Sequence, residues 1–593
     1  MKICLLFPPQ WTPAMPHLAL PWLTGFLRQH GHTVAQRDLN VEVFDQILTR
    51  RHLHQALQRI RRRFALPGAA SAPQFRPTDE QIRWALAKGP ALLEKAEKAK
   101  AVLRSERFYD EEASLAAFLV ITDALALNSL AHYPAHLDLS RFDDPLRHDS
   151  SRELLHAAQD ADINPFYEIF RRGILPDLQR QKPELIGISI PTQGQFLAAL
   201  TLASLIRRAG LPCHLTAGGP HVSMLREQIP HVPALFDLFD SFVVFDGEVP
   251  LLRLAEAIEK GSGRAGDGGL AAVPNLIYRS PTCGEIRTNP QLPTHEVRLA
   301  QENLRPDFDG LPLDRYLAPE PVLPLIAAHG CYHGKCAFCN VGYGDPLHYH
   351  PYPAEFIVAE MRRLREQYAC RHIFFVDEAM PPRILKRLGP VLQGQGLHWA
   401  GAARLEKALT APLLESVSAG GCRMMLFGLE SASEPIMQAM IKGTQRAEMS
   451  RVLHETAAAG IWAHTFFFFG FPGETIEDAQ KTVDFVYEHQ AVIHSASLGA
   501  FLLEIYAPAY AAPERFGIST VHRDARRDLA IYFEYEPAHG MDEVTANRLA
   551  DKLLERLPDK RYGQYYTSDV YKFLYASRLH DAGRPLPRWL EAH

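Results

Sequence analysis

The stretch that decides the fold of this 593-residue chain is Leu323-Pro-Leu-Ile-Ala-Ala328, followed shortly by Cys331-Tyr-His-Gly-Lys-Cys336-Ala-Phe-Cys339. The first part is an apolar run with the length of a buried strand, and the second holds three of the chain's eight cysteines. Three cysteines at C-x4-C-x2-C spacing indicate a [4Fe-4S] cluster with one iron left open, because a full cysteinyl set has four ligands. A structural zinc site is the alternative, and it would need His333, His348 or His350 as its fourth ligand.

The sequence after this loop alternates strand and helix patterns in a regular order. Amphipathic stretches such as Ala354–Tyr368 separate short apolar runs. The predicted strands are Leu323–Ala328, His372–Val376, His398–Ala402, Met424–Phe427, Ala463–Phe469 and Ser495–Leu503. Six such βα-type repeats predict a partial (β/α)6 barrel, whose functional residues come from the carboxyl ends of its strands. We therefore expect the cysteine loop at the mouth of the barrel.

The sequence before the loop predicts a second, Rossmann-like α/β domain. Strand patterns at Lys2–Phe7 and Thr33–Asp38 begin it, and the alternation resumes at Leu185–Ile190 after a helical insertion. Small and polar residues follow three of its strands, at 189–192, 218–221 and 246–248. Because ligands bind outside the carboxyl ends of strands in open α/β sheets, these three positions favour a ligand crevice.

The chain is thus predicted to have four segments. They are a Rossmann-like domain over residues 1–260 with a helical insertion at about 47–180, a linker with a hairpin over residues 261–320, the partial barrel over residues 321–519, and a C-terminal helical cap over residues 520–593.

The composition excludes some classes of function. A net charge of −5 offers no general attraction for nucleic acid, and no uninterrupted apolar run reaches the roughly 20 residues of a membrane span. The N-terminus lacks the layout of a signal peptide, and the remaining cysteines are scattered in mostly apolar contexts, which is typical of a reducing cytoplasm. We expect a cytoplasmic protein without a nucleic-acid or membrane partner.

At this point the chain resembles the radical S-adenosylmethionine (SAM) superfamily, in particular its branch with an N-terminal cobalamin-binding domain. The resemblance extends from residue 1 to about residue 520. Besides the cysteine loop, the motifs that carry it are Gly428-Leu-Glu-Ser431, Gly470-Phe-Pro-Gly-Glu-Thr475, Gly187-Ile-Ser189, Gly218-Gly-Pro-His221 and Gly247-Glu248.

The resemblance implies specific cofactor contacts. Cys331, Cys336 and Cys339 would ligate the cluster, and the open iron would bind the amino and carboxylate groups of SAM. Other residues implied in SAM binding are Phe338, Asp377 or its neighbour Glu378, Arg404, Glu430, Ser431, Gly470 and Pro472. Those implied near cobalamin are Gln10, Ser189, Thr192, Gly218, Gly219, His221, Gly247 and Glu248.

Two departures from the family pattern accompany the resemblance. The first gap of the family's cysteine motif has three residues, whereas four residues separate Cys331 from Cys336 here. The D-x-H-x-x-G motif, whose histidine ligates cobalt in other cobalamin domains, is absent from this sequence. We therefore expect no histidine of that motif to bind the cobalt.

The function that the resemblance implies is cobalamin-dependent radical SAM methylation of an unactivated carbon in a small metabolite or natural-product intermediate. An electron donor such as flavodoxin or ferredoxin would supply the reducing electron. Two alternatives remain open from the sequence. One is a radical rearrangement, cyclisation or oxidation without methyl transfer, and the other is a zinc-stabilised scaffold or RNA-binding module without catalysis.

Overall fold

The structure, a computed structural model, describes residues 1–65, 76–139, 142–143, 148–261, 267–344, 349–556 and 563–588. It divides into two compact units. The first unit comprises Met1–Pro319 with Asp524–Ala530, and the second comprises Glu320–Arg523 with Ile531–His593.

The first unit is built on a seven-stranded sheet. Its strands are β1 (Lys2–Phe7), β2 (Thr33–Asp38), β3 (Leu185–Ser189), β4 (His214–Gly218), β5 (Ser241–Val243), β6 (Leu276–Arg279) and β7 (Ile286–Thr288), in the spatial order β2-β1-β3-β4-β5-β6-β7. The first five strands are parallel. All five residues of β3 are buried, as expected when helices cover both faces of a sheet. The Rossmann-like prediction is confirmed, and the order 2-1-3-4-5 is that of flavodoxin-like sheets.

The predicted hairpin is part of this sheet rather than of a linker. β6 pairs antiparallel with β5, and β7 pairs antiparallel with β6, so the hairpin extends the sheet edge. Residues 262–266, at the start of the predicted linker, lie outside the described residues.

The helical insertion separates β2 from β3. Its main helices are Leu39–Ile47, Arg50–Ile60, Asp79–Leu103, Glu111–Ala131, Ser151–Ala157 and Leu175–Gln181. Helix Asp79–Leu103 begins with a capping box between Thr78 and Gln81. The other helices of at least eight residues in this unit are Ala19–Gln29, Phe196–Arg208, Glu248–Lys260 and Thr294–Gln301.

Within the described ranges, helix Glu111–Ala131 is the one helix long and apolar enough to cross a membrane. Its sequence contains no uninterrupted apolar run of membrane-spanning length, because Asp123 and Asn128 interrupt the apolar residues. The most apolar window of this helix is 56% buried, and the helix packs on Arg50–Ile60 and Asp79–Leu103. Packing within the insertion therefore accounts for much of its apolar composition.

The second unit contains a six-stranded sheet that confirms the predicted partial barrel. Its strands are β8 (Val322–Leu325), β9 (His372–Phe375), β10 (His398–Ala403), β11 (Cys422–Glu430), β12 (Trp462–Phe469) and β13 (Ser495–Ala500). They are all parallel and pair in chain order. The helices that connect them are Ala354–Tyr368, Pro382–Leu392, Ala411–Ala419, Glu434–Ala439, Arg446–Ala458 and Ile476–Glu488. This succession is the βα repeat of a barrel that stops short of closure.

The sequence predicted a purely helical C-terminal segment, and this prediction is wrong. Helices Glu543–Arg556 and Asp569–Asp581 are present, but Tyr532–Phe533 and Tyr535–Pro537 form two short antiparallel ribbons with residues 503–504 and 518–521. Residues Asp524–Ala530 belong to the first unit, where the Leu529 N–H donates to the carbonyl of Asp149 at 2.9 Å.

Candidate active site

The cysteine loop follows β8 at the carboxyl edge of the barrel sheet. Cys331, Cys336 and Cys339 are half-buried and none is in a disulfide. Ala337, fully buried, fixes the middle of the loop, because its N–H donates to the Met440 carbonyl and its carbonyl accepts the Ala509 N–H, both at 2.8 Å.

Two of the four residues between Cys331 and Cys336 are held by hydrogen bonds of their own. The Tyr332 hydroxyl donates to Glu406 Oε1 at 2.9 Å. The His333 Nε2 lies 2.9 Å from the Ile441 carbonyl, which can only accept, so this nitrogen is the donor. Gly334 has a φ of 59°, in the left-handed region that glycine adopts without strain. The segment between Cys331 and Cys336, one residue longer than in the family pattern, is therefore a turn held by hydrogen bonds.

A tight turn over Met440–Gly443, here called the collar, holds this loop in place. Its first three carbonyl oxygens accept hydrogen bonds from the Ala337 backbone, the His333 ring and the Arg404 guanidinium, at 2.8, 2.9 and 2.5 Å. A Cβ on Gly443, whose φ is +71°, would lie only 3.3 Å from the His333 ring. The collar therefore fits closely against the cysteine loop.

The donor chemistry of the loop fits an iron–sulfur cluster. Burial raises the pKa of Cys336 and also that of Cys339, the latter to about 12, while the charges of Lys442 and Arg404 lower that of Cys336. Thiols of this kind give up their protons when a metal binds, and nearby cations suit the negative charge of a thiolate cluster.

Zinc fits the same residues less well. Among the described residues, no three His, Cys, Asp or Glu side chains are arranged to hold one metal ion. A single zinc would need its ligand atoms within about 4 Å of one another, whereas a cluster binds each thiolate through a different iron. Of the possible fourth ligands, His333 is engaged by the collar, His350 lies in a ribbon with its ring against Tyr352, and His348 lies outside the described residues.

Phe338 and Glu430 meet at Lys442, a residue that the sequence analysis did not single out. Glu430 ends β11 beyond a register shift with a φ of 62°, and its Oε1 lies 2.8 Å from Lys442 Nζ. The Lys442 ammonium is 5.7 Å from the centre of the Phe338 ring, and that ring packs edge-to-face on Phe468. Glu430 thus lies beside the cysteine loop, of which Phe338 is a part.

Two predicted SAM contacts are engaged in holding the protein backbone instead. Arg404 is buried and donates to the collar, with its Nε 3.5 Å from Glu406. Asp377 is buried, and its carboxylate accepts the N–H groups of Ala327 and Ala328 at 2.6–3.0 Å. Burial raises the pKa of Asp377 to about 7 although these bonds oppose the shift.

Glu378, the alternative to Asp377, has a carboxylate that is not engaged with the backbone of Ala327 and Ala328. Its side chain keeps exposed surface, although the protein around it raises its pKa by desolvation. Its charge also raises the pKa of Cys339, so the two side chains are neighbours. An exposed carboxylate near Cys339 has the charge to pair with an ammonium group.

Ser431 and the Gly470 loop do not present free ligand contacts. Ser431 is fully buried, and its hydroxyl lies 3.3 Å from that of Thr482. A Cβ on Gly470, whose φ is +83°, would lie 2.6 Å from the Cβ of Ala546, so protein already occupies the close approach that this glycine permits. Pro472, in the same loop, lines a cleft of about 450 Å³ with Arg515.

In the first unit, the loops after β1 and β3 meet where the strand order reverses. Gln195 joins them, since its Nε2 donates to the Pro8 carbonyl at 2.6 Å. The predicted residues Gln10, Ser189 and Thr192 follow these two strands, and the side-chain amide of Gln10 donates to the Asp138 carbonyl at 2.5 Å. This switch point is where sheets of this order bind ligands.

The remaining predicted cobalamin residues divide into two groups. Gly218 ends β4 and Gly219 follows it. A Cβ on Gly219, with φ of +107°, would lie 2.9 Å from the Ile190 carbonyl, so this glycine lets the loops after β3 and β4 pack together. His221 is fully buried edge-to-face with Phe196, and burial lowers its pKa to about 3.

Gly247 and Glu248, the last two predicted cobalamin residues, contact other residues of the first unit. A Cβ on Gly247 would contact Leu23 at 3.4 Å, and the buried Glu248 accepts hydrogen bonds from Trp22 and Gln301 at 2.7 and 2.9 Å. His221 and Glu248 are thus buried in the core, whereas Gly247 is half-buried.

The comparison with protein families bears directly on the cysteine loop and its barrel. Residues 325–486 match the family model of the radical SAM superfamily. This segment is a radical SAM domain. It includes the loop, the collar and five of the six barrel strands, β9–β12 in full and the end of β8. The family implies a [4Fe-4S] cluster and SAM, and the three cysteines provide the ligand set that such a cluster needs.

Curated relatives of the chain include methyltransferases. An uncharacterized methyltransferase of Pyrococcus horikoshii, PH0819, is 25% identical over 314 residues, which are 52% of this chain and 65% of that protein. The bacteriochlorophyllide d C-12(1)-methyltransferase of Chlorobaculum tepidum is 24% identical over 180 residues, 28% of this chain and 38% of that protein. The chain thus spans less than two thirds of the length of either relative.

Solved structures extend the likeness beyond the radical SAM domain. The radical SAM methyltransferase TsrM of Kitasatospora setae, solved with tryptophan and the SAM analogue aza-SAM, superposes with a TM-score of 0.56. The match is 14% identical and covers 99% of this chain and 96% of TsrM. A second TsrM structure, with cobalamin and a [4Fe-4S] cluster, gives a TM-score of 0.51 over 88% of this chain and 81% of that one, at 15% identity. The likeness shows that the two chains share their fold.

The radical SAM domain contains residues next to the cysteine loop that sequence reasoning missed. Lys442 comes twelve positions after Glu430, and helix Glu434–Ala439 separates the two in sequence. Tyr332 and Glu406 meet across 74 residues. No spacing rule connects such positions, and the only local signal was the turn residue Gly443 after Lys442.

Proposed function

We propose that this protein is a cobalamin-dependent radical SAM enzyme that methylates an unactivated carbon of a small metabolite or natural-product intermediate. The observation that carries the proposal is the three-cysteine loop, held by the collar at the carboxyl edge of the partial barrel. A switch-point crevice in the first unit and methyltransferases among the relatives support it.

In this proposal Cys331, Cys336 and Cys339 would ligate a [4Fe-4S] cluster and leave a coordination position for SAM. The cluster would supply the electron for reductive cleavage of SAM, and cobalamin would supply the methyl group. Phe338 would pack against the adenine, Glu378 would receive the SAM ammonium group, and Glu430 would accept hydrogen bonds from the ribose or methionine end. Asp377 and Arg404 hold the backbone that positions these groups.

The switch-point crevice would take the cobalamin. Gln10 and the loop at Ser189–Thr192 border it, and Gly218-Gly219 lets the adjacent loop approach closely. In this arrangement His221 and Glu248 support the crevice from the core rather than touching the cofactor. Tryptophan in one TsrM structure is consistent with a small-molecule substrate for this fold.

In this proposal the protein acts in the reducing cytoplasm. A cytoplasmic flavodoxin or ferredoxin would deliver the electron that reduces the cluster. All eight cysteines are free thiols, as expected for a protein kept in a reducing compartment.

Anaerobic purification with reconstitution is the decisive experiment. We expect a brown protein with about four irons per chain, bound cobalamin, and both 5′-deoxyadenosine and S-adenosylhomocysteine once the substrate is supplied. Cys336→Ala should abolish SAM cleavage, while Cys283→Ala, at an exposed cysteine of the β6–β7 hairpin, should leave it unchanged. A colourless protein with one zinc would refute the proposal. Deoxyadenosine without S-adenosylhomocysteine would replace methyl transfer by another radical reaction.

A further inference from the structure

A buried ion pair lies beside the cysteine loop. Lys442 Nζ and Glu430 Oε1 are 2.8 Å apart, and the two side chains are 7% and 12% exposed. Removing two charges from water costs free energy that their attraction often does not fully recover, so such a pair is weak support for stability. Its position beside the cysteine loop points to an electrostatic effect on the group that the cysteines bind.

The pair is fixed in place by its surroundings. The Lys442 ammonium lies 5.7 Å from the ring centre of Phe338, which precedes Cys339, and the Lys442 carbonyl is tied to Arg404. A Cβ on Gly428 would lie 2.7 Å from Lys442 Nζ and would overlap the Glu430 carboxylate. The bare backbone of Gly428 therefore makes room for the pair.

The ammonium is also close to the cysteine loop through the collar to which Lys442 belongs. The two collar residues before it, Met440 and Ile441, accept hydrogen bonds from Ala337 and His333 of that loop at 2.8 and 2.9 Å. Glu430, paired with Lys442, places the opposite charge at the same position. Both charges are shielded from solvent, so salt and water screen them less than charges at the surface.

We propose that Lys442 and Glu430 together set the reduction potential of the cluster, with Lys442 favouring the added electron and Glu430 moderating this effect. The inference rests on the proposed function, since it needs the [4Fe-4S] cluster. Reduction adds one electron from an external reductant and breaks no bond at the cluster. The reduced cluster carries one more negative charge, which a nearby cation stabilises and a nearby carboxylate opposes. Lys442 is a positioning residue that acts through the thiolates, and the effect of Glu430 on the cluster is separate from the SAM contact proposed for it above.

The test is a redox titration of the reconstituted enzyme without SAM, followed by electron paramagnetic resonance. Lys442→Met removes the cation and keeps the length of the side chain, and we expect about tenfold less reduced cluster at a fixed potential, a shift of about 59 mV to more negative values. Glu430→Gln removes the anion and should shift the potential to more positive values. Lys407→Met, a matched charge loss at an exposed position, should leave the potential within error of the wild type.

Opposite shifts in the two variants support the proposal, because a merely structural role would not change sign with charge. Equal potentials, or shifts in the same direction, overturn it. If one variant fails to load iron, the sign of the shift in the other decides. If neither loads iron, the pair is structural and the proposal is rejected. A wild-type protein without a cluster would instead refute the proposed function itself, which separates the two failures.

Discussion

The carboxylate of Asp377 holds the backbone N–H of Ala327, with its two oxygens at 3.0 and 2.9 Å. One of these oxygens also accepts the N–H of Ala328 at 2.6 Å. Asp377 follows β9, while the alanines lie between β8 and the cysteine loop. The carboxylate therefore sets the direction in which the chain enters the site.

Asp377→Asn should destabilise the second unit and lower its iron content. The amide keeps one acceptor oxygen but turns an N–H donor towards the backbone donors, so we expect a loss of about 1–3 kcal/mol in the free energy of unfolding. Urea unfolding and iron analysis would measure it. Glu378→Gln is the matched control, and it should keep stability and iron but bind SAM more weakly. Normal stability of Asp377→Asn with a full complement of iron would contradict this assignment.

The buried carboxyl of Glu474 should make stability fall as the pH rises. Burial raises its pKa from the usual 4.5 to about 7, against the hydrogen bond from the Gly470 N–H. A carboxyl whose pKa is raised on folding stabilises the protein below about pH 4.5, and this contribution is lost as the pH rises through about 7.

Glu474→Gln removes this titration. Between pH 5 and pH 8 the wild type should lose about 3 kcal/mol more stability than the variant. Urea unfolding at the two pH values gives the comparison, and Glu477→Gln, at the exposed neighbouring position, should behave as the wild type. Identical pH dependence in the wild type and Glu474→Gln would show that Glu474 is ionised throughout.

The four-residue gap between Cys331 and Cys336 should not tolerate shortening. Deleting Gly334 restores the three-residue spacing of the family but displaces Tyr332 or His333 from its partner. We expect iron content close to zero after reconstitution, whereas Gly334→Ala, which strains the left-handed φ by about 1–2 kcal/mol, should load more slowly but to a measurable level. Full loading of the deletion variant would mean that the anchors are dispensable.

Gly219→Ala should weaken cobalamin binding and lower Tm. The added Cβ meets the Ile190 carbonyl at 2.9 Å, so one loop of the crevice must move. We expect at least about tenfold weaker binding, which is about 1.4 kcal/mol. Gly210→Ala is the control, because its φ of +65° is also positive but nothing lies within 4 Å of the added Cβ. Equal effects of the two substitutions on cobalamin affinity would exclude the close approach as the cause.

Both sheets were predictable because their signals are local. Strand-length apolar runs, separated by amphipathic helices, specify parallel strands wherever they stand in the chain. The same reasoning failed where pairing joins distant residues. β6 and β7 read as a linker hairpin, since nothing within them indicates that they pair onto β5. Asp524–Ala530 was predicted as part of the C-terminal cap, but Arg527 and Leu529 are bonded to Asp149 of the first unit.

The predicted site divides in the same way. Cys331, Cys336 and Cys339 could be identified because their ligand type and spacing lie within one loop. Phe338 lies within the same loop, and Glu430 could be placed near it because it ends another strand of the barrel. Arg404, Asp377 and Ser431 have side chains suited to SAM binding, but they are hydrogen-bonded to backbone groups or to a buried side chain. These partners are distant in sequence and could not be predicted from it.

By itself, the sequence determined the order of the strands along each domain, the three-thiol ligand set and the glycines that bend the loops. These features depend on residues that are neighbours in the chain. Only the tertiary structure decided that Met440–Gly443 closes on the cysteine loop, that Tyr332 and His333 anchor its longer gap, and that Lys442 meets Glu430. Such contacts bring together distant segments, and their geometry follows from the packing of the whole unit, which no local pattern specifies.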